Sequence, residues 1–208
     1  MSLPSPDLLG VEEALARIAS SQARVLVIAL PTSRNSSHLR AESGAPQRIA
    51  DALVRDEGNP YAENGADLGD RRNIEYIGAL AGLRAVRGSL PIVHFDAHPD
   101  LYDELLGNRL SHASPFARIM ENGLASDLWQ YGIRTLNPHQ REQVARFGVR
   151  CHEMRDHASW PLPTQPGPVV GADVVEYLPQ RDVGGITAVV AAKLARELAG
   201  MMLGAAPR

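Results

Sequence analysis

The chain has 208 residues, long enough to bury one sizeable core, and with 44% hydrophobic and 22% charged residues it is not a disordered polymer. A net charge of -3, from 21 Lys+Arg against 24 Asp+Glu, and an aromatic content of 5% argue against a nucleic-acid partner. No apolar run reaches bilayer length, no secretory pattern or acid-poor transit peptide opens the chain (Asp7, Glu12 and Glu13 are acidic), and the single cysteine, Cys151, has no internal disulfide partner, so no membrane association and a cytoplasmic location are expected.

Residues 1–10 read as a loose leader rich in Ser, Pro and Leu, and Val11, Leu15 and Ile18 recur at helical spacing, which predicts a helix over 11–20. The run RVLVIAL (24–30), closed by Pro31, has the composition of a strand buried on both faces. Residues 31–45 are polar and read as a loop, and Pro46 suits the first turn of a helix to about residue 56. Residues 57–71 are rich in turn formers. A third helix is predicted over 72–86, with Gly78 and Gly82 counting against it.

Strands are predicted at 91–96 (PIVHFD), 128–133 (LWQYGI), 148–151 and 169–177, and helices at 114–122 and 138–146. Residues 155–168 are Pro-rich and irregular, and an alanine-rich helix is predicted over 186–203. Strands alternating with helices predict an α/β fold with a parallel sheet covered on both faces. No repeat or boundary divides the chain, which reads as one domain over 1–208 with its core from residue 24.

Asp96-Ala97-His98-Pro99-Asp100 follows the apolar Ile92-Val93, at the carboxyl end of a predicted strand, where open α/β sheets collect ligands. Alternate side chains of extended backbone point the same way, so Asp96, His98 and Asp100 converge on one point. Two carboxylates and an imidazole suit a divalent ion such as manganese, iron or zinc. The same residues also suit a plain polar loop in which Asp96 caps the following turn.

Four segments together resemble the ureohydrolases, the arginase/agmatinase family: HFDAHPDLYDE, SHASPFARIME (111–121), GIRTLNPHQRE (132–142) and GADVVEYLPQRD (171–182) followed by ITAVVAAKLARELA. The resemblance runs, with gaps, from about Val25 to Met202, and is closest in flavour to the arginases of plants and their bacterial relatives. It implies a three-layer α/β/α fold around a central parallel sheet, here reduced in strand number. It also implies a binuclear manganese centre that activates a hydroxide to attack a guanidinium carbon, releasing urea and an amine, in a homo-oligomer.

Carried over to this sequence, Asp96, His98 and Asp100 match the family's metal-binding segment, with Asp96 bridging. His112 matches the histidine assigned to proton transfer; the alternative is a solvent-facing histidine at a helix start. Glu176 matches the glutamate that holds the guanidinium; the alternative is a salt-bridged strand end. Asn137 lies where some relatives contact the amino-acid end of the substrate.

Two pieces of the family pattern are missing. No Gly-Gly-Asp-His segment precedes the Asp96 strand, and no Ser-x-Asp-x-Asp strand follows Pro168, so two internal deletions are read near Ala81 and near Pro168. About half of the protein ligands go with them. His94 is read as a core histidine rather than a substitute ligand, and His152, Glu153, Asp156 and His157 as groups that would reach the site only in a rearranged sheet. Two functions therefore stand open: a manganese-dependent hydrolase of arginine or agmatine, or a catalytically inactive relative, a shortened paralogue or incomplete gene model, that acts as a binding or regulatory subunit.

Overall fold

The computed structural model describes residues 11–29, 44–53, 59–79, 90–161 and 169–204. The expected leader, most of the polar loop at 31–45 and the two junctions near Ala81 and Pro168 lie outside the described residues. The chain divides into two compact units, one holding residues 1–33, 41–83 and 166–208 and the other 34–40 and 84–165.

In the first unit α1 (Val11–Ser20) leads to β1 (Val25–Ala29), α2 (Ala45–Leu53) and β2 (Ile74–Ala79), and α5 (Ile186–Leu203) closes it. β1 and β2 pair in parallel, Val25 opposite Ile74 and Val27 opposite Tyr76, with a bulge after Val27. The core joins Val25 and Ile74 to Ala62, Ala66, Ala199 and Leu203. α5 passes close to residues 62–64: a Cβ at Gly200 would stand 2.5 Å from Ala62 Cβ, and Asn64 Nδ2 donates to the Gly200 carbonyl at 2.7 Å. The small residues of α5 are thus a packing requirement.

The second unit is a parallel sheet in the order β3 (Leu90–Phe95), β4 (Ala125–Ile133), β5 (Arg150–Glu153), with α3 (Pro115–Glu121) and α4 (Pro138–Phe147) as the crossovers. Both helices cover the same sheet face. Phe116 and Met120 of α3, and Val144 and Phe147 of α4, pack on Ile92, Leu128 and Cys151 with Leu101 and Val149. The other face is aromatic. Tyr131 stacks on Phe95 and His152, and Trp160, after a 3-10 helix over Met154–Ser159, meets Tyr131 edge-on.

Two sequence expectations are corrected. Residues 74–79 form a strand and not the start of a helix over 72–86; Gly78 weakens a helix, and backbone pairing with β1 outweighs what local propensity remains. Residues 169–177 form no strand, and run irregularly to a 3-10 turn at Pro179–Arg181. Their apolar residues suit a strand, but among the described residues no strand pairs with them, and an unpaired strand gains no ladder bonds.

Candidate metal centre

The loop after β3 is built by its neighbours on both sides. The Asp96 N–H donates to the Tyr131 carbonyl at 3.1 Å, and the Ala97 carbonyl accepts from the Arg134 N–H at 2.9 Å and from Thr135 Oγ1 at 3.0 Å. This clamp to β4 needs close approach at Gly132, whose φ is +87° and whose missing Cβ would lie 3.1 Å from the Asp96 carbonyl oxygen. On the other side the Phe116 N–H of α3 donates to the Asp100 carbonyl and the Tyr102 N–H to the Ala113 carbonyl. Asp100 takes the left-handed region at φ 49°, a conformation that Asp tolerates better than most residues. Pro99 and Leu101, both fully buried, root the loop on either side of it.

Within this unit the described residues gather one group of possible ligands: His94, Asp96 and Asp100, whose ligand atoms all lie within 4.8 Å of one another. His98, the expected third ligand, is next to Asp96 but not in that group. Its N–H donates to Asp96 Oδ1 at 2.8 Å and its Nδ1 stands 3.3 Å from the same oxygen. The His94 Nε2 faces the other oxygen, Asp96 Oδ2, at 3.5 Å, and its ring lies against Phe116. Two carboxylates with imidazole nitrogen at either hand are a fitting donor set for one divalent ion, with solvent completing its shell.

Beneath the loop lies a buried amide that none of the expected site residues includes. Gln130, on the inward face of β4, is fully buried. Its Nε2 donates to the Pro99 carbonyl at 2.7 Å and stands 3.2 Å from His94 Nδ1, while its Oε1 is buried without a hydrogen-bond partner among the described residues. An orphaned buried acceptor costs about 1–3 kcal/mol. The available signal was a polar residue inside the apolar run LWQYGI.

The remaining expected residues are each placed by their own segment. His112 is half-buried in the turn before α3, where the Ser114 N–H donates to the Ser111 carbonyl, so it belongs to the segment that grips the loop. Asn137 caps α4: its side chain accepts from the Gln140 N–H, Gln140 returns the bond, and its Nδ2 donates to the Tyr102 hydroxyl. Glu176 lies in the first unit, exposed, at φ 63° in the irregular segment 169–177.

His152 pairs in register with Tyr131 and stacks on it, on the sheet face opposite Gln130. Burial pushes its pKa down. Glu153 is engaged by Arg141 and Arg155, and His157 packs edge-on to Trp160. None of these replaces a missing ligand among the described residues of this unit.

A model of the arginase family matches residues 73–164 and 163–200. The mitochondrial arginase of Medicago truncatula is 34% identical over an alignment of 274 residues that takes in 85% of this chain and 81% of that protein. That alignment is longer than this 208-residue chain, so the relative carries internal segments with no counterpart here. The solved arginase from the same plant superposes with a TM-score of 0.77 at 30% identity, covering 92% of this chain and 93% of that one. The agmatine ureohydrolase of Thermoplasma volcanium shares the fold, with a TM-score of 0.67 at 18% identity, over 97% and 95% of the two chains. The parallel sheets and flanking helices described above are thus those of an arginase-like three-layer α/β/α fold.

Proposed function

Because the chain belongs to the arginase family, a family of ureohydrolases that act on guanidino compounds, we propose that it is a manganese-dependent hydrolase releasing urea from arginine, agmatine or a related guanidino compound. The observation that carries the proposal is the gathering of Asp96 and Asp100 with flanking imidazoles on one clamped loop at the carboxyl end of β3. Asp96, His98 and Asp100 would hold the ion. Bound manganese supplies the acidification of water that attack on a guanidinium carbon at neutral pH requires.

The chain's own groups have separable tasks in this reading. The two carboxylates offset the charge of ion and cationic substrate together. His112, beside the loop in sequence and joined to it by the Ala113 carbonyl, is the group to move a proton to the leaving amine. Glu176 is the group to hold the guanidinium by charge-assisted hydrogen bonds. Asn137 is the group to meet the far end of the substrate. A homo-oligomer is part of the same proposal, supported by the exposed stripe of Ile186, Val190 and Leu194 along α5.

One observation favours a second reading. The relatives' extra internal segments, absent here, would leave the second ion short of anchors, and the chain would then bind metal weakly and act as a binding or regulatory partner. Urea release from arginine and agmatine by folded, manganese-loaded protein decides between them. Turnover that vanishes in Asp96→Ala supports the hydrolase. No urea from a folded, metal-loaded sample leaves the binding role.

A further inference from the structure

We propose that Gln130 is a positioning residue that locks His94 in its Nε2–H tautomer, so that His94 turns its N–H toward Asp96 and stays out of the metal's ligand set. The proposal rests on the reading of this loop as a metal site, and it selects between the two imidazoles that flank Asp96.

The argument begins at Pro99. The Pro99 carbonyl lies 2.7 Å from Gln130 Nε2, and a carbonyl can only accept, so the amide group must turn its NH2 toward Pro99. A flipped amide would set two acceptor oxygens against each other at that distance. The NH2 has a second hydrogen, and its neighbour is His94 Nδ1 at 3.2 Å. A ring nitrogen that faces a donor presents its lone pair, so in neutral His94 the proton sits on Nε2. That nitrogen faces Asp96 Oδ2 at 3.5 Å.

A metal ligand must present a lone pair, and the His94 nitrogen nearest the carboxylates presents N–H instead. The orphaned Gln130 Oε1 fits the same picture: the amide forgoes a bond at its oxygen to make both donations from its nitrogen. Phe116 fixes the ring plane from the side, at a centroid distance of 4.3 Å. The Nε2–H then turns its positive end toward Asp96 Oδ2 from 3.5 Å, a charge–dipole contact that orients the carboxylate from outside the ligand set. The imidazole left for the ion is that of His98.

The test is a long-range proton–nitrogen NMR spectrum of the imidazoles in the 15N-labelled full chain, near pH 8 and without metal, with His94 assigned by its absence in His94→Asn. The expected result is a single Nε2–H pattern for His94. In Gln130→Met, shown folded by its backbone amide spectrum, the His94 Nδ1 signal shifts toward tautomer-averaged values, and zinc affinity falls about 10- to 100-fold. An Nδ1–H pattern in the wild-type chain overturns the proposal whatever the variant does. So does an unchanged His94 spectrum in folded Gln130→Met.

A zinc titration of the same sample completes the test. Loss of the His94 Nε2–H signal on binding makes His94 a ligand and overturns the proposal; its persistence while His98 shifts supports it. Failure to bind zinc or manganese at all counts against the metal reading, and the tautomer result then stands on the metal-free spectra.

Discussion

The Arg118 guanidinium of α3 meets the Asp103 carboxylate at 2.7 Å and donates to the Asp103 carbonyl at 2.8 Å, so one side chain ties the helix twice to the segment just beyond Asp100. Arg109 adds a second grip on the same carboxylate at 2.8 Å. These bonds, from Arg118 first, hold the Asp103 carboxyl below its ordinary 3.8.

A carboxyl depressed on folding stabilises the native state fully above its unfolded value and loses that effect as pH falls through the folded one. Thermal melts of wild type and Asp103→Asn should therefore differ most at about pH 6 and converge toward about pH 2. A difference that is constant over that range would show that the asparagine acts by some other route.

Asn137 carries two readings that one pair of variants separates. As the N-cap of α4 with a reciprocal bond from Gln140, its replacement by Ala should cost about 0.5–2 kcal/mol, read from urea denaturation, whereas Asn137→Asp keeps the cap and the stability. If Asn137 also meets substrate, Asn137→Asp raises KM with the fold intact. An unchanged KM confines the residue to capping.

Local chemistry made much of this molecule legible. The apolar run at Val25–Ala29, the Asn137-Pro138 helix start and the alanine-rich α5 each declare their structure within a few residues. The Asp96–Asp100 loop is legible for the same reason, since its ligand types are adjacent in sequence. Residues 74–79 were not, because their state is set by β1, about 50 residues away, and pairing overrides weak local preference. Residues 169–177 show the converse, a strand-like composition without a partner. Gln130 shows in the sequence only as a polar residue within an apolar run, because its meaning depends on the β3–β4 register that sets it beside His94.

Cys151 tests the packing of the second unit. It lies among Leu128, Val149 and Phe147, and burial, aided by the charge of Glu153, pushes its thiol up to about 11. A shift of about two pH units cuts the thiolate fraction about 100-fold. At about pH 8 a thiol reagent should label the native chain at least that much more slowly than the urea-unfolded chain. Equal rates would mean that β5 does not hold its place under α4. The sign also sets an alkaline limit: the native state keeps a proton the unfolded chain releases above the ordinary 9.0, so stability falls as pH rises from there toward about 11.

Gly132 joins the sheet to the candidate metal centre. Its φ of +87° is one that residues with a Cβ rarely adopt, and the new atom would sit 3.1 Å from the Asp96 carbonyl oxygen, which is backbone and has no rotamer to relieve the contact. Gly132→Ala should therefore cost about 1–3 kcal/mol. Strain alone would lower the melting temperature and leave metal binding unchanged at temperatures where the chain is folded. Here the contact falls on Asp96 itself, so the carboxylate and the His98 N–H that it accepts from move together. Manganese affinity, read by electron paramagnetic resonance of the free ion at a temperature well below the melt, should drop along with stability. A folded Gly132→Ala chain that binds manganese as tightly as wild type would show that the clamp between β4 and the loop does not set the position of Asp96.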